Sequence, residues 1–272
     1  VAPRRLRSSI RRQYCDIEER IARVTDSKRK IDNLLSALNG PLATREIRME
    51  VVEWIAVCQF NCRIFGGFVR DWIVGGYSSR PAMDSDPSTR LTYTSCYDNK
   101  NGQQQMPHLN KEFVPNDIDC DLPDNDFNID QFLERLRKYE IKCKVCCKIW
   151  RGYVLLLDEN RSPFTMDLIL ADSAWKLYKY RILDIDVHSL FVEKDYTHGI
   201  GMRTNRIHSK LGSLGDLETV VKNIKNKRFA ALRDYDIEDR IKKMLKRGWT
   251  HLETEIEDEY ELSDNTSNDV DR

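Results

Sequence analysis

The sequence predicts an α+β protein in which a mixed, twisted sheet is flanked by helices, with helical extensions at both ends. Three observations indicate this class. Apolar residues recur every three or four positions near both ends of the chain, which is the period of an amphipathic helix. Short apolar runs bounded by turn-forming residues occupy the middle, as expected of strands. One helical pattern, Ile129 to Tyr139, separates two of these runs.

The N-terminal region is predicted to be helical. From Ile10 to Leu38 apolar residues follow steps of four and three, and Asn39-Gly40-Pro41 ends the pattern. Residues 1–45 are therefore expected to be one long amphipathic helix. This helix either packs on its own domain or forms a short coiled coil for a homodimer or another partner. A second helix is expected from Arg45 to Phe60.

A central α/β domain is predicted over residues 46–195. It opens with a short strand, Arg63 to Phe65, a diglycine turn and a helix from Phe68 to Val74. Residues 77–112 are rich in Ser, Asp, Asn, Gln and Pro without a sustained period, so we expect an insertion or mobile loop that either touches substrate or is solvated. Further strands are expected at Ile118 to Leu122, Ile141 to Trp150, Tyr153 to Leu157 and Phe164 to Leu170.

The C-terminal part divides into two predicted regions. Residues 196–252 are expected to be helical, because an apolar helical period runs from Leu214 to Leu245 and ends at Arg247-Gly248-Trp249. Residues 253–272 are acidic and poor in core-forming side chains, so we expect a disordered tail. Because the chain begins at Val1, it is also consistent with a fragment of a longer protein.

Composition indicates an intracellular protein of a reducing compartment, such as the cytoplasm or nucleus. No apolar run approaches the roughly 20 residues of a membrane span, and no secretory signal is visible. The 44 basic and 44 acidic residues cancel, although the start of the chain is basic, and could contact phosphates, while the end is acidic. Eight cysteines are interpreted as free thiols, because they do not form a dense disulfide pattern and a reducing interior is expected. Cys143 and Cys146 lack a second pair with zinc spacing, which argues against a structural zinc.

The strongest local motif is a diglycine turn in Phe65-Gly66-Gly67-Phe68-Val69-Arg70-Asp71. Adjacent glycines ahead of a helix allow backbone amides to approach a phosphate group. Taken alone, the same motif is also an ordinary connection between a strand and a helix.

Carboxylates supply the second candidate feature. Asp117, Asp119 and Asp121 are spaced two apart on a predicted strand, so they project from one face and repel each other unless a cation intervenes. Hard oxygen ligands favour Mg²⁺ or Mn²⁺. Asp167 interrupts an apolar strand, where it is either a third carboxylate of the same site or the partner of an Arg or Lys.

These motifs resemble a known family. Residues 64–75 resemble the Gly-Gly-x-Val-Arg-Asp signature of poly(A) polymerase and tRNA CCA-adding enzyme head domains, and residues 116–119 resemble their metal-binding Asp-x-Asp strand. Both belong to the DNA polymerase beta superfamily of nucleotidyltransferases. The resemblance implies a polymerase-beta-like head fold, with catalytic, metal-binding Asp117, Asp119 and Asp167, and with Gly66, Gly67 and Arg70 holding a triphosphate. Asp71 would fix the turn or contact the nucleotide.

The implied activity is transfer of a nucleoside monophosphate from an NTP, ATP foremost, to an acceptor hydroxyl, with release of pyrophosphate. The family favours an RNA 3′ end as acceptor and Mg²⁺ or Mn²⁺ as cofactor. A protein or small-molecule acceptor, or an inactive fold that binds nucleotide or a partner, remain alternatives. The paired arginines of a later family motif are replaced by Ile182-Leu183. The Glu-Asp-x-x-Arg motif that selects the base in CCA-adding enzymes is absent near Asp239 to Met244, so their specificity for C and then A is not implied.

Overall fold

A computed structural model describes residues 27–38, 43–79, 91–98, 102–109, 114–123, 127–149, 152–160, 162–170, 184–195, 199–204, 216–232 and 236–252. Within these ranges the protein is α+β, with helices around a mixed seven-stranded sheet. The predicted first part of the N-terminal helix and the predicted acidic tail lie outside the described residues.

Two helices precede the sheet. Helix α1 (Ser27–Leu38) packs against α2 (Arg45–Trp54). Leu38, the last residue of α1, is buried in the hydrophobic core. The Thr44 side chain caps α2 by accepting a hydrogen bond from the Ile47 amide at 3.3 Å. A π-helical turn, Ile55–Gln59, continues α2. The predicted helix from residue 45 to 60 is therefore confirmed.

The sheet places two strands from distant parts of the chain side by side. Its strands are β1 (Arg63–Phe65), β4 (Asp117–Leu122), β5 (Cys143–Ile149), β6 (Gly152–Leu157), β7 (Phe164–Leu170), β8 (Leu190–Asp195) and β9 (Gly199–Thr204). They lie in the order β5-β6-β7-β4-β1-β8-β9. Among the strands of this sheet that the structure describes, only β4 and β7 pair in parallel, and helix α3 (Ile129–Lys138) occupies part of the connection between them. The predicted central strands and the predicted helix are confirmed.

One face of this sheet forms the hydrophobic core. Along β4, Ile118, Cys120 and Leu122 are buried, whereas the alternating acidic residues are partly exposed. Met166 and Leu168 on β7 lie opposite Ile118 and Cys120 and are also buried. The opposite side of β4 and β7 is called the acid face below.

The predicted mobile loop over residues 77–112 is wrong in part. It contains an antiparallel hairpin of β2 (Leu91–Asp98) and β3 (Gly102–Leu109), and β3 packs against β5 and β7. The Gln104 side chain accepts from the Lys148 amide at 2.6 Å and donates to the Lys148 carbonyl at 3.3 Å. The Sγ atoms of Cys96 and Cys147 lie 3.4 Å apart at the same contact. The insertion is thus an additional structural unit docked on the sheet.

The C-terminal region is only partly helical, which corrects the prediction for residues 196–252. Helices α4 (Leu217–Lys225) and α5 (Glu238–Lys246) are present as expected. However, β9 belongs to the main sheet, and β10 (Arg228–Ala230) pairs in parallel with β11 (Thr250–Leu252). Strands of three residues are too short to show a period of their own in the sequence.

A buried carboxylate joins this C-terminal unit to the sheet. Asp186, in a 3₁₀ turn (Asp186–His188), is fully buried. Its side chain accepts hydrogen bonds from the Val187 amide at 2.7 Å, the Asn223 side chain at 2.7 Å and the Ala230 amide at 2.8 Å. Burial raises the pKa of Asp186, and the three donors act against that rise. Asp186 thereby connects the sheet to α4 and β10.

Two compositional predictions bear on the described residues. Their seven cysteines are free thiols, as expected; these are Cys58, Cys62, Cys96, Cys120, Cys143, Cys146 and Cys147. In the part of the chain that the structure describes, no helix is long and apolar enough to cross a membrane.

Candidate active site

Three of the predicted carboxylates share the acid face. Asp119 on β4 lies opposite Asp167 on β7, and Asp117 lies two residues before Asp119, opposite Thr165. Paired residues of neighbouring strands project from the same face, so all three side chains point the same way. Asp121 continues the row opposite Ile169. The parallel pairing of β4 and β7 therefore brings together the acids that the sequence singled out.

Burial and mutual repulsion raise the pKa values of these carboxyl groups. Burial is the main cause of a rise in the pKa of Asp119 to about 7, and the negative charges of Asp117, Asp167 and Asp121 contribute to it in that order. Burial also raises the pKa of Asp167 to about 6, again with a contribution from Asp117. Near neutral pH Asp119 is therefore only partly ionised, and a bound divalent cation would favour its ionised form.

The donor set suits a hard cation that keeps part of its water shell. Within the described ranges, no three His, Cys, Asp or Glu side chains already converge as a complete metal site. Mg²⁺ is commonly held by one or two carboxylates, with water and substrate phosphate completing an octahedron. Asp117 and Asp119, with Asp167 on the next strand, meet that requirement.

The diglycine turn lies directly against these acids. Strand β1 pairs with β4 so that Phe65 is opposite Asp119, and the chain turns at Gly66 with φ +78°. A Cβ atom at Gly66 would collide with the Asp119 carboxylate. At Gly67 a Cβ atom would lie 3.7 Å from Asp117 Oδ1. Glycine at these positions thus allows the turn and the carboxylates to occupy adjacent space.

Arg70 and Asp71 form a buried network behind the turn, in a π-helical segment (Val69–Val74). Arg70 donates from Nε and Nη2 to both Asp71 oxygens, each at 2.6 Å, and its Nη1 contacts His188 Nε2. The guanidinium group also lies 5.4 Å from the ring centre of Trp249. Arg247 Nη1 approaches Asp71 Oδ2 at 3.6 Å. The structure thus places Arg70 beside the turn with its side chain engaged by protein groups.

Sequence reasoning missed His188. Burial lowers the pKa of His188 well below its ordinary value, and Arg70, Arg240 and Lys243 lower it further. A neutral imidazole can accept a hydrogen bond from Arg70 through Nε2. The sequence showed only a histidine without a catalytic partner at close spacing, so nothing local indicated this contact.

Sequence reasoning also missed the cations on α5. Lys243 and Arg247 both lower the pKa of Asp117, although burial has the larger effect and raises it. Partial burial lowers the pKa of Lys243, and the Arg247 charge lowers it further. Arg240, on the same side of the helix, forms an ion pair with Asp184. The spacing of residues 240, 243 and 247 places all three on one helical face, a signal that was present in the sequence.

No protein-family model matches this sequence, and no curated protein matches it. The assignment of function therefore depends on the arrangement of the acid face, the diglycine turn and the α5 cations.

Proposed function

We propose that this protein is a metal-dependent nucleotidyltransferase with the head-domain fold of the DNA polymerase beta superfamily. It moves a nucleoside monophosphate from an NTP, ATP foremost, to an acceptor hydroxyl, with an RNA 3′ end as the preferred acceptor. The observation that carries this proposal is the placement of Asp117, Asp119 and Asp167 on one face of adjacent parallel strands, against the Gly66-Gly67 turn.

The reaction makes limited chemical demands on the protein. The acceptor oxygen attacks the α-phosphorus, the bond from that phosphorus to the bridging oxygen breaks, pyrophosphate leaves, and the hydroxyl proton is lost to solvent. Bound Mg²⁺ or Mn²⁺ would neutralise the phosphates and activate the hydroxyl. Asp117, Asp119 and Asp167 would hold these ions, and positioning accounts for most of the remaining catalysis.

The cationic side of the site suits a triphosphate. Arg247 Nη1 lies 3.6 Å from Asp71 Oδ2, and the same Asp71 oxygen lies 3.8 Å from where a Cβ atom of residue 67 would be, so Arg247 is near the turn. The charges of Lys243 and Arg247 both lower the pKa of Asp117, against the larger effect of burial. Gly66 and Gly67 carry no side chains of their own, and the nearest side-chain atoms to a Cβ atom at Gly67 lie at ordinary van der Waals distance, which favours approach of phosphate oxygens to the Gly67 backbone. Asp71 holds Arg70 and Arg247 together and so orients this side of the site.

The test is an extension assay. Purified protein is incubated with each labelled NTP, Mg²⁺ or Mn²⁺ and a pool of short RNAs, and products are separated on a denaturing gel. The Asp117→Ala/Asp119→Ala variant should lose extension completely. Asp130→Ala/Glu134→Ala is a matched control, because it removes the same charge from α3, where Asp130 and Glu134 are exposed.

Each outcome has a distinct meaning. Extension by wild type and control, but not by the site variant, supports the proposal and identifies the nucleotide. Full activity of the Asp117/Asp119 variant would refute the assigned site. No extension with any NTP would contradict an RNA acceptor and favour a protein or small-molecule acceptor, or the inactive nucleotide-binding alternative.

A further inference from the structure

The C-terminal unit consists of two similar segments, each a helix followed by a short strand. Helix α4 leads into β10 and α5 leads into β11, and the two strands are parallel. Each helix leads directly into its strand, and the two strands run in the same direction. The C-terminal ends of both helices therefore lie at the same end of the unit. The Thr250 amide donates to the Lys227 carbonyl at 2.8 Å, which fixes the two helix-to-strand turns side by side.

This end of the unit is rich in basic residues and free of acids. Residues 219–232 and 240–252 contain no Asp or Glu. The acids of the unit instead lie before or in the first turns of the helices. We call the following residues the basic end: Lys222, Lys225, Lys227, Arg228, Lys243, Lys246 and Arg247.

Complementing the helix dipole explains only part of this distribution. A base in the last turn of a helix is favourable because carbonyl groups there carry partial negative charge. That effect fades within one turn of the helix end. It therefore explains neither the position of Arg228 on a strand nor the absence of Asp and Glu from residues 219–232 and 240–252. Lys222, Lys225 and Lys246 are moreover exposed. A surface with this charge is suited to a polyanion.

The basic end is continuous with the candidate active site. Lys227 Nζ lies 4.5 Å from the ring centre of Tyr77, and the rings of Tyr77 and Trp249 meet edge to face at 6.2 Å. Trp249 in turn lies under Arg70. Arg247 belongs to the basic end and also contacts Asp71. Cationic and aromatic side chains thus lead from the diglycine turn to the exposed lysines.

We infer that the basic end binds the sugar-phosphate backbone of a single-stranded RNA whose 3′ end reaches the acid face. This inference rests on the proposed function, because it concerns the acceptor of that reaction. A triphosphate alone needs only the cations beside the turn, whereas the exposed lysines extend away from it. Neighbouring phosphates of an RNA strand would meet them in succession, with release of counterions.

The test measures binding of a fluorescein-labelled 15-nucleotide oligoadenylate by anisotropy over 50–200 mM KCl. The variant Lys222→Gln/Lys225→Gln/Lys246→Gln removes three exposed charges outside the catalytic machinery. Each phosphate contact contributes about 0.7 to the slope of log affinity against log salt for single strands, so the slope should fall by about 2. We expect a loss of roughly tenfold in RNA affinity at 100 mM KCl, with ATP affinity unchanged.

The matched control is Arg135→Gln/Lys138→Gln/Lys142→Gln, which removes three exposed charges from α3 and the segment after it. It should change RNA affinity by less than about twofold. Equal losses in both variants, an unchanged salt slope in the first, or failure of the wild type to bind RNA would overturn the inference. So would equal loss of ATP affinity, since the basic end would then serve only the triphosphate.

The extension assay separates this inference from the proposed function. If RNA binding depends on the three lysines but no nucleotide is transferred, the proposed transferase function is refuted and RNA binding by the basic end is supported. Transfer to RNA with an unchanged KM for RNA in the triple lysine variant would retain the function and refute the surface.

Discussion

Replacing Asp119 by Asn should stabilise the metal-free protein while abolishing its activity. In the folded protein burial and neighbouring carboxylates raise the pKa of Asp119 from 3.8 to about 7. A carboxyl group with a raised folded pKa binds its proton more tightly in the folded state. Asp119 therefore does not lower the free energy of unfolding below about pH 4, where it is protonated in both states. The loss of stability grows as the pH rises towards 7 and reaches its full size above that pH.

The magnitude follows from this shift. One pKa unit corresponds to about 1.4 kcal/mol, so a rise from 3.8 to about 7 sets a ceiling of about 4 kcal/mol at pH 8. Asn keeps the shape of the side chain without its charge, but its amide is also partly desolvated. We therefore expect a net gain of about 2 kcal/mol in the free energy of unfolding at pH 8, and less at pH 5.

The assay is urea unfolding in EDTA at pH 8 and pH 5, repeated with excess MgCl₂. Divalent cation should stabilise the wild type by mass action and leave Asp119→Asn unaffected. The control is Asp239→Asn, at a fully exposed position on α5. It should change neither the free energy of unfolding in EDTA nor its response to Mg²⁺. A destabilised Asp119→Asn variant at pH 8 in EDTA, or a wild type indifferent to Mg²⁺ and Mn²⁺, would refute the reasoning.

Two further predictions concern the turn and the buried hub. Gly66→Ala should lower the free energy of unfolding by about 1–3 kcal/mol, because φ is +78° and the new methyl group meets Asp119. Gly67→Ala has ordinary van der Waals space, so it should preserve the melting temperature and reduce activity; equal melting temperatures for both variants would contradict this difference. Asp186→Ala should cost about 2–4 kcal/mol in urea unfolding, because three buried donors lose their acceptor. A loss no larger than that of the exposed control Asp130→Ala would show that Asp186 is not a structural hub.

Local patterns predicted the central strands well. Phe164–Leu170 forms β7 with the predicted bounds. A short apolar run that follows turn-forming residues is typical of a strand and has few other ways to fold. Strand β4 begins one residue before the predicted start, at Asp117. The same alternation that predicted a strand also separated buried from partly exposed positions, so the row of acids on β4 followed from residue identity and parity. The place of Asp167 beside that row depends on the pairing of β4 with β7, which the alternation does not predict.

The hairpin escaped prediction because its strands lack a continuous apolar face. Thr92, Thr94, Gln103 and Gln105 are exposed, so hydrophobic alternation gives almost no signal. Its stability depends instead on backbone pairing and on contacts such as that of Gln104 with Lys148. Such contacts join residues far apart in the sequence, and a single sequence does not reveal them.

The cationic half of the site was missed for a related reason. The acids and glycines carry recognisable short motifs, whereas Lys243, Arg247 and His188 acquire meaning only through the fold. Phosphate-facing cations can come from many positions on many elements, so spacing alone cannot distinguish them from a solvated helix face. The helical period contains the shared face of residues 240, 243 and 247, but it does not show what lies opposite that face.

The contact of Arg247 with Asp71 also has a consequence for biosynthesis. The ribosome releases the diglycine turn and the carboxylate strands long before α5, so an emerging chain carries mutually repelling acids without their cationic counterpart. Contacts of such high sequence separation form late and slowly. On the proposed function, the nascent protein would not be able to hold a triphosphate until α5 has been translated and docked, so nucleotide chemistry would begin only after synthesis of this region.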